Sequence, residues 1–357
     1  MVLIKIHYIM GVNMKKTIFF MVILVFMLAA CSSGDGEAVQ SVSNNNADGE
    51  VIEFTFAHAL QMDKPEHKGA LKFKELVEEK SNGKLVVNIS PASQLGDERE
   101  MAQSVQTNSI EGAIISTGPL STISPSMDLP LLPFLVSERE TMYKLLDGEV
   151  GKEILASLEN SGIKGTAFWE SGFKQITSNK EIRTPQDLGG LPFRTVESQL
   201  VMDIYKALGA NPVAVPFPEV YTSLQQGVVE GQENAIGSIA SMKFYEVQDY
   251  VTLLDIGYNP YAAIFSKKWF DSLPEEHQNI IVTASQEAAE YERQLIADTE
   301  ADYLKEIEES GTTIVELSSE EKEVFRESTK SVHDKYKDVF GAELLESAYK
   351  VIEETEQ

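Results

Sequence analysis

Apolar and polar positions switch repeatedly between a period of two and a period of three to four from Val51 onward. Val51–Ala57 (VIEFTFA) alternates as a strand, and Glu66–Lys80 sets Ala70, Phe73 and Val77 on one face of a helix. Ser81-Asn82-Gly83 ends that helix, and Lys84–Ser90 (KLVVNIS) alternates again. Asp97–Asn108 predicts a helix whose acidic first turn suits the positive end of the helix dipole. Gly112–Ser116 predicts a short buried strand, and Gly118–Phe134, with four prolines, a long loop. Helices at Glu138–Leu146 and Gly151–Asn160 lead into a strand at Gly162–Trp169.

A second unit begins near Phe173. Strands at Gln175–Ser178 and Pro192–Thr195 flank the turn-rich Thr184–Gly190, and helices follow at Ser198–Leu208 and Pro218–Gln226. Strands at Tyr250–Ile256 and Tyr261–Ser266 come next. Pro274–Glu309 has no internal proline or glycine and predicts one helix of about 36 residues, roughly 54 Å long at ~1.5 Å per residue. A strand at Thr312–Leu317 and two helices close the chain. Alternation of strands and helices predicts an α/β fold with sheets covered by helices on both faces. The length suits two lobes, residues 51–171 with 260–299 and residues 172–259 with 300–357. The long helix is expected to run along both, giving a hinged clamp.

The first thirty residues read as a leader. Lys15 and Lys16 precede the apolar run Ile18–Ala30, which is shorter than the ~20 residues that a spanning helix needs. Met14 is its expected start. The run ends in Leu28-Ala29-Ala30-Cys31, which resembles the lipobox of bacterial lipoproteins, so Cys31 is the expected lipidation site. Residues 32–50 are small and polar and suit a flexible tether. Cys31 is the only cysteine, which excludes an intramolecular disulfide and a cysteine-based metal centre. The fold must stand on its core, and about 300 residues suffice to bury ~75% of the unfolded surface.

Thirty basic against 56 acidic side chains give a net charge of −26, or −29 once Lys5, Lys15 and Lys16 leave with the leader. No basic stripe suited to nucleic acid exists. An anion could bind only at a local cation, screened from distant acids over a Debye length of ~8 Å. Phosphate-loop, nucleophile-elbow, zinc-helix and dinucleotide motifs are absent, so no catalytic, metal or cofactor site is expected. His277 and His333 lie among charges and are expected at the surface, as are Glu230 and Glu233 in so acidic a chain. Arg194 differs, because it sits among apolar residues in Gly190-Leu191-Pro192-Phe193-Arg194-Thr195. A lone buried charge is costly, so it must meet either a ligand carboxylate or an internal acid; residue chemistry leaves both open.

Several motifs occur together in order. They are Ser93-Gln94-Leu95-Gly96-Asp97-Glu98-Arg99, Leu188–Arg194, Gly209-Ala210-Asn211-Pro212, Pro216–Tyr221, Leu224–Asn234 and Lys243–Gln248. The set resembles the solute-binding proteins of TRAP transporters, a family that binds dicarboxylates, sugar acids and sialic acid. The resemblance implies a two-lobed clamp that takes a small organic carboxylate, such as a C4-dicarboxylate or sugar acid. It also implies delivery to TRAP membrane subunits, and the lipobox-like Leu28–Cys31 adds an extracytoplasmic, lipid-anchored position. By position in the motifs it implies that Arg194 grips the carboxylate, that Asn234 contacts the ligand and that Phe217 packs on it. Lys174 stands at a second basic position that is often arginine, and lysine cannot supply a bidentate fork. The sialic-acid branch carries asparagine where His58 stands and glutamate where Ser116 stands, which argues against that ligand. Trp169 is expected either in the core or beside the ligand, and Glu170 as an acceptor for ligand hydroxyls. The alternatives are a coreceptor for a sensor kinase and, with less support, an extracytoplasmic hydrolase using paired acids.

Overall fold

The computed structural model describes residues 51–356. The expected leader, Cys31 and the 32–50 tether lie outside the described residues. The chain opens with β1 (Ile52–His58), α1 (Pro65–Lys80), β2 (Leu85–Ser90), α2 (Glu98–Gln106), β3 (Gly112–Ser116) and α3 (Thr117–Leu120). After a 3-10 turn over Pro125–Leu131 come α4 (Arg139–Asp147), α5 (Glu149–Ala156) and β4 (Ile163–Ser178). Next are β5 (Pro192–Thr195), α6 (Gln199–Ala207), β6 (Asn211–Ala214), α7 (Val220–Gln225), β7 (Gly231–Ala235), α8 (Ile236–Ser241) and β8 (Tyr250–Leu253). Then β9 (Tyr258–Ser266), α9 (Lys267–Phe270), α10 (Glu275–Glu309), β10 (Thr313–Glu316), α11 (Ser319–Phe340) and α12 (Ala342–Thr355) finish the fold.

The strands run in the order β2-β1-β3-β9-β4-β7-β5-β6, with β8 also on β4 and β10 on β8. β4 is the seam between two half-sheets. Its residues Ile163–Phe173 pair with β9, and Lys174–Ser178 pair with β7. Sequence suggests two strands here, split near Phe173, whereas the chain stays extended for 16 residues. Gly172, at φ +113°, and a register shift between Glu170 and Gly172 absorb the change of partner without breaking the strand.

Each half-sheet buries its own apolar set. Phe54, Phe56 and Phe265 of the first pack with Phe73 and Val77 of α1 and with Ile281, Ala284 and Ala288 of α10. At its other end α10 sends Ile307 into the core built by Val220, Ile239 and Phe244. One 35-residue helix, ~52 Å long, thus serves both lobes. The expected α/β two-lobed architecture with a shared long helix is present.

The expected loop at Gly118–Phe134 is instead α3 and the 3-10 turn, with Leu120, Met127, Leu129 and Leu131 buried. Proline at the start of the turn fits its first position, where no amide donor is needed. Two further expectations fail on the α-helices. His277 is only 9% exposed, and His333 is half-buried between Pro133 O (2.8 Å) and Tyr349 Oη (3.0 Å).

Candidate functional site

Arg194 stands near the carboxyl end of β5, in register with Gln232 of β7. Ligands of α/β sheets gather beyond such strand ends. The guanidinium is 3% exposed, and its Nε donates to Val215 O at 2.9 Å. The structure contains six described arginines, and the other five each have a carboxylate oxygen within 4 Å. Arg194 alone has no ion pair among the described residues. Burial lowers its pKa below the arginine range, while Glu233 and Glu98 pull the other way.

Opposite it lies the start of α2, from the first half of the chain. Asp97 caps this helix: its carboxylate accepts from Glu100 N at 2.8 Å, and Glu100 Oε2 accepts from Asp97 N at 3.0 Å. The fixed first turn holds Glu98 where Ser116, at the end of β3, donates to it from both N (2.8 Å) and Oγ (2.7 Å). Glu98, Arg194 and Phe217 line one narrow space between the lobes. Burial raises the Glu98 pKa, opposed by the Ser116 bonds and by Arg194. Phe217 is half-buried and meets Phe244 edge to face at 6.3 Å.

Behind Arg194 the polar strand β7 supplies the rest. Glu233 is 1% exposed and lies 2.8 Å from Lys174 Nζ, a diagonal pair across β7 and β4. This corrects the expectation of a solvated Glu233. Asn234 is 6% exposed and spends one amide hydrogen on Gln232 Oε1 at 2.7 Å. The lobes touch around this site. Ser198 Oγ donates to Asp128 (2.8 Å), Lys64 Nζ to Ser238 Oγ (2.8 Å), and Arg99 lies 3.6 Å from Glu197.

Three expected site residues are not brought to Arg194. Trp169 is 1% exposed in the core with Phe56, so close to α1 that a Cβ on Gly69 would lie 2.8 Å from its ring. Glu170 is fully buried; Arg139 Nε lies 3.0 Å from it and the Tyr143 hydroxyl donates to it, so its oxygens serve the protein rather than a ligand. His58, also fully buried, accepts from Leu60 N at 3.2 Å through Nδ1 and faces His67 Nδ1 at 3.0 Å through Nε2. Both ring nitrogens are therefore committed. Sequence reasoning in turn missed Glu98 and Lys64. The capping pattern Asp97-x-x-Glu100 was the available signal for the first; Lys64 had none.

Two buried groups carry opposite pH signatures. Burial, reinforced by His67, lowers the His58 pKa to about 3 from 6.5. Its contribution to stability is complete above about pH 6.5 and is lost as pH falls toward 3. Burial raises Asp128 from 3.8 to about 7, against the opposing Ser198 bond, so its cost grows as pH climbs through that window. Denaturant unfolding between about pH 4 and 8 should show His58→Gln flattening the acid-side loss and Asp128→Asn removing the loss toward neutrality. Each effect has a limiting slope of ~1.4 kcal/mol per pH unit. Curves parallel to wild type for both variants would contradict these assignments.

Two α/β lobes that meet over a buried arginine without an ion pair fit a solute-binding protein. The chain belongs to the bacterial extracellular solute-binding protein family 7, matched over residues 56–338. It is similar to the 2,3-diketo-L-gulonate-binding periplasmic protein YiaO of Escherichia coli, at 34% identity over 73% of this chain and 80% of that one. It is also similar to the C4-dicarboxylate-binding protein DctB of Bacillus subtilis, at 33% identity over 82% of this chain and 85% of that one. Among solved structures it resembles the sugar acid binding protein of Advenella mimigardefordensis in complex with galactonate. That match has a TM-score of 0.83 and 32% identity, over 86% of this chain and 99% of that one. The chain is thus a TRAP-type solute-binding protein, as its motifs imply.

Proposed function

We propose that this protein is a lipid-anchored extracytoplasmic receptor that closes on a small organic carboxylate and presents it to TRAP membrane subunits. Arg194 is the residue that grips the carboxylate. Asn234 and Phe217 contact the bound molecule, Lys174 tunes the charge beside it, and Ser116 acts by holding Glu98 in place. Trp169, Glu170 and His58 serve the scaffold. Cys31 carries the lipid and residues 32–50 the tether. The action is binding and release, without turnover.

The lobes are assigned to residues 51–171 with 260–299 and to 172–259 with 300–357. Support comes from Gly172, next to which β4 passes from β9 to β7, and from Tyr261, where the pairing of β9 with β3 ends. The tail is shared, since α12 packs on α4 and α5 while α11 packs on α6. Clamp closure of this kind repositions rigid lobes about a few residues.

One observation carries the reading: a buried arginine between two lobes with no acid of its own. A carboxylate with two good oxygens would satisfy it bidentately. A thermal-shift screen against organic acids tests this. A ligand at ~100 times its Kd adds about 2.7 kcal/mol, which raises Tm by roughly 4 °C for a domain of this size. No stabilisation by any small carboxylate would contradict it.

A further inference from the structure

A second arginine marks a way into the cleft, an inference that rests on the carboxylate-site reading above. Arg99 lies in the first turn of α2, two residues after the Asp97 cap. Together with Pro119 it lines the narrow space that holds Arg194. The same two residues also line a separate groove along α2 and the end of α3. The inner space measures about 230 Å³ and the groove about 690 Å³, the latter within the ~300–1,000 Å³ of small-ligand pockets. Their charges differ. Asp97, Glu98 and Glu197 face the two arginines in the inner space. Arg99 is the one charged side chain lining the groove among the described residues; its polar neighbours there, Gln103, Gln106, Thr122 and Ser161, are neutral.

Exposure sets the order of encounter. The Arg99 side chain is 52% exposed, whereas Arg194 is 3% exposed, so an anion arriving from water meets Arg99 first. The net charge of −26 repels that anion at long range, and a local cation prevails only within a Debye length of ~8 Å. Arg99 is also loosely held. Its Nε lies 3.6 Å from Glu197 Oε2, too far for a hydrogen bond, so its fork can exchange this acid for a ligand carboxylate. Glu197 follows Arg194 by three residues, and the contact runs from one lobe to the other. We propose that the α2 groove is an entry site where Arg99 first takes the ligand carboxylate and passes it to Arg194. Glu197 takes Arg99 back as the lobes close.

Rapid filtration of the full chain with radiolabelled galactonate, and separately with succinate, gives the association and dissociation rates that test this. Arg99→Gln is expected to slow association about tenfold, the low end of electrostatic steering, and to change dissociation less. An exposed side chain without a hydrogen bond is not needed for folding, so the variant should remain folded. Arg99→Lys keeps the charge and is expected to restore most of the rate. Glu197→Gln removes the acid that competes for Arg99 and is expected to speed association. Wild-type association in Arg99→Gln, or an effect confined to dissociation, overturns the inference alone and leaves the receptor reading standing. Arg99→Lys as slow as Arg99→Gln, or slowed association in Glu197→Gln, overturns it equally. Failure of both acids to bind the wild type overturns both readings.

Discussion

Arg194→Ala is expected to weaken carboxylate binding by about 10²- to 10⁴-fold, since two charge-assisted hydrogen bonds of ~1.5–3 kcal/mol each are lost. Stability without ligand should stay within a few degrees of wild type or rise. The reason is that the guanidinium has no acid partner to orphan, and its burial is already unfavourable to the charged form. A structural arginine behaves oppositely. Arg293 reaches Asp147 at 2.6 Å and 2.9 Å and Phe168 O at 3.0 Å, so its removal would strip partners from all of them. Titration calorimetry and thermal unfolding on the same two variants separate the cases. Arg194→Ala that unfolds many degrees lower but binds normally would reverse the assignment.

The second large effect is on stability. Lys64 is 1% exposed, with its ammonium 2.6 Å from Glu66 Oε1 and donating to Ser238 Oγ on α8. Glu66 is equally buried, and its Oε2 has no other partner. Lys64→Met should therefore cost about 3–5 kcal/mol by leaving a buried carboxylate unpaired, a drop in Tm of roughly 5–8 °C. The double variant Lys64→Met/Glu66→Leu should recover most of that loss, because replacing both members of a buried pair by apolar residues is often neutral. A double variant as unstable as the single one would show that the loss arises elsewhere.

The elements legible in the sequence are those whose period comes from burial on one face. β1, α1 and β2 follow their alternation or helical spacing, and α10 follows from an uninterrupted run without proline or glycine. β7 escaped that logic. Its five residues Gly231–Ala235 are all buried, yet Gln232, Glu233 and Asn234 are polar, and they stay inside by pairing with Thr177, Lys174 and one another. A strand stabilised by polar matches carries no hydrophobic signature.

The site divides in the same way. Arg194 stood out because a charge among apolar neighbours demands a partner. Glu98 and Glu233 could not stand out in a chain with 56 acids, although both lie beside that arginine. Trp169, expected either in the core or beside the ligand, lies in the core, and Glu170 is buried against Arg139 and Tyr143. Trp169 and Glu170 pair with Tyr261 and Pro260 in the first half-sheet, on the far side of the β4 seam.

The most direct measurement is a crystal structure of the protein with a bound organic acid. The expected result is the acid's carboxylate within hydrogen-bonding distance of both terminal nitrogens of Arg194, with Glu98 and Asn234 at its other end. An acid bound elsewhere, with the Arg194 guanidinium still bonded only to Val215 O, would contradict the account.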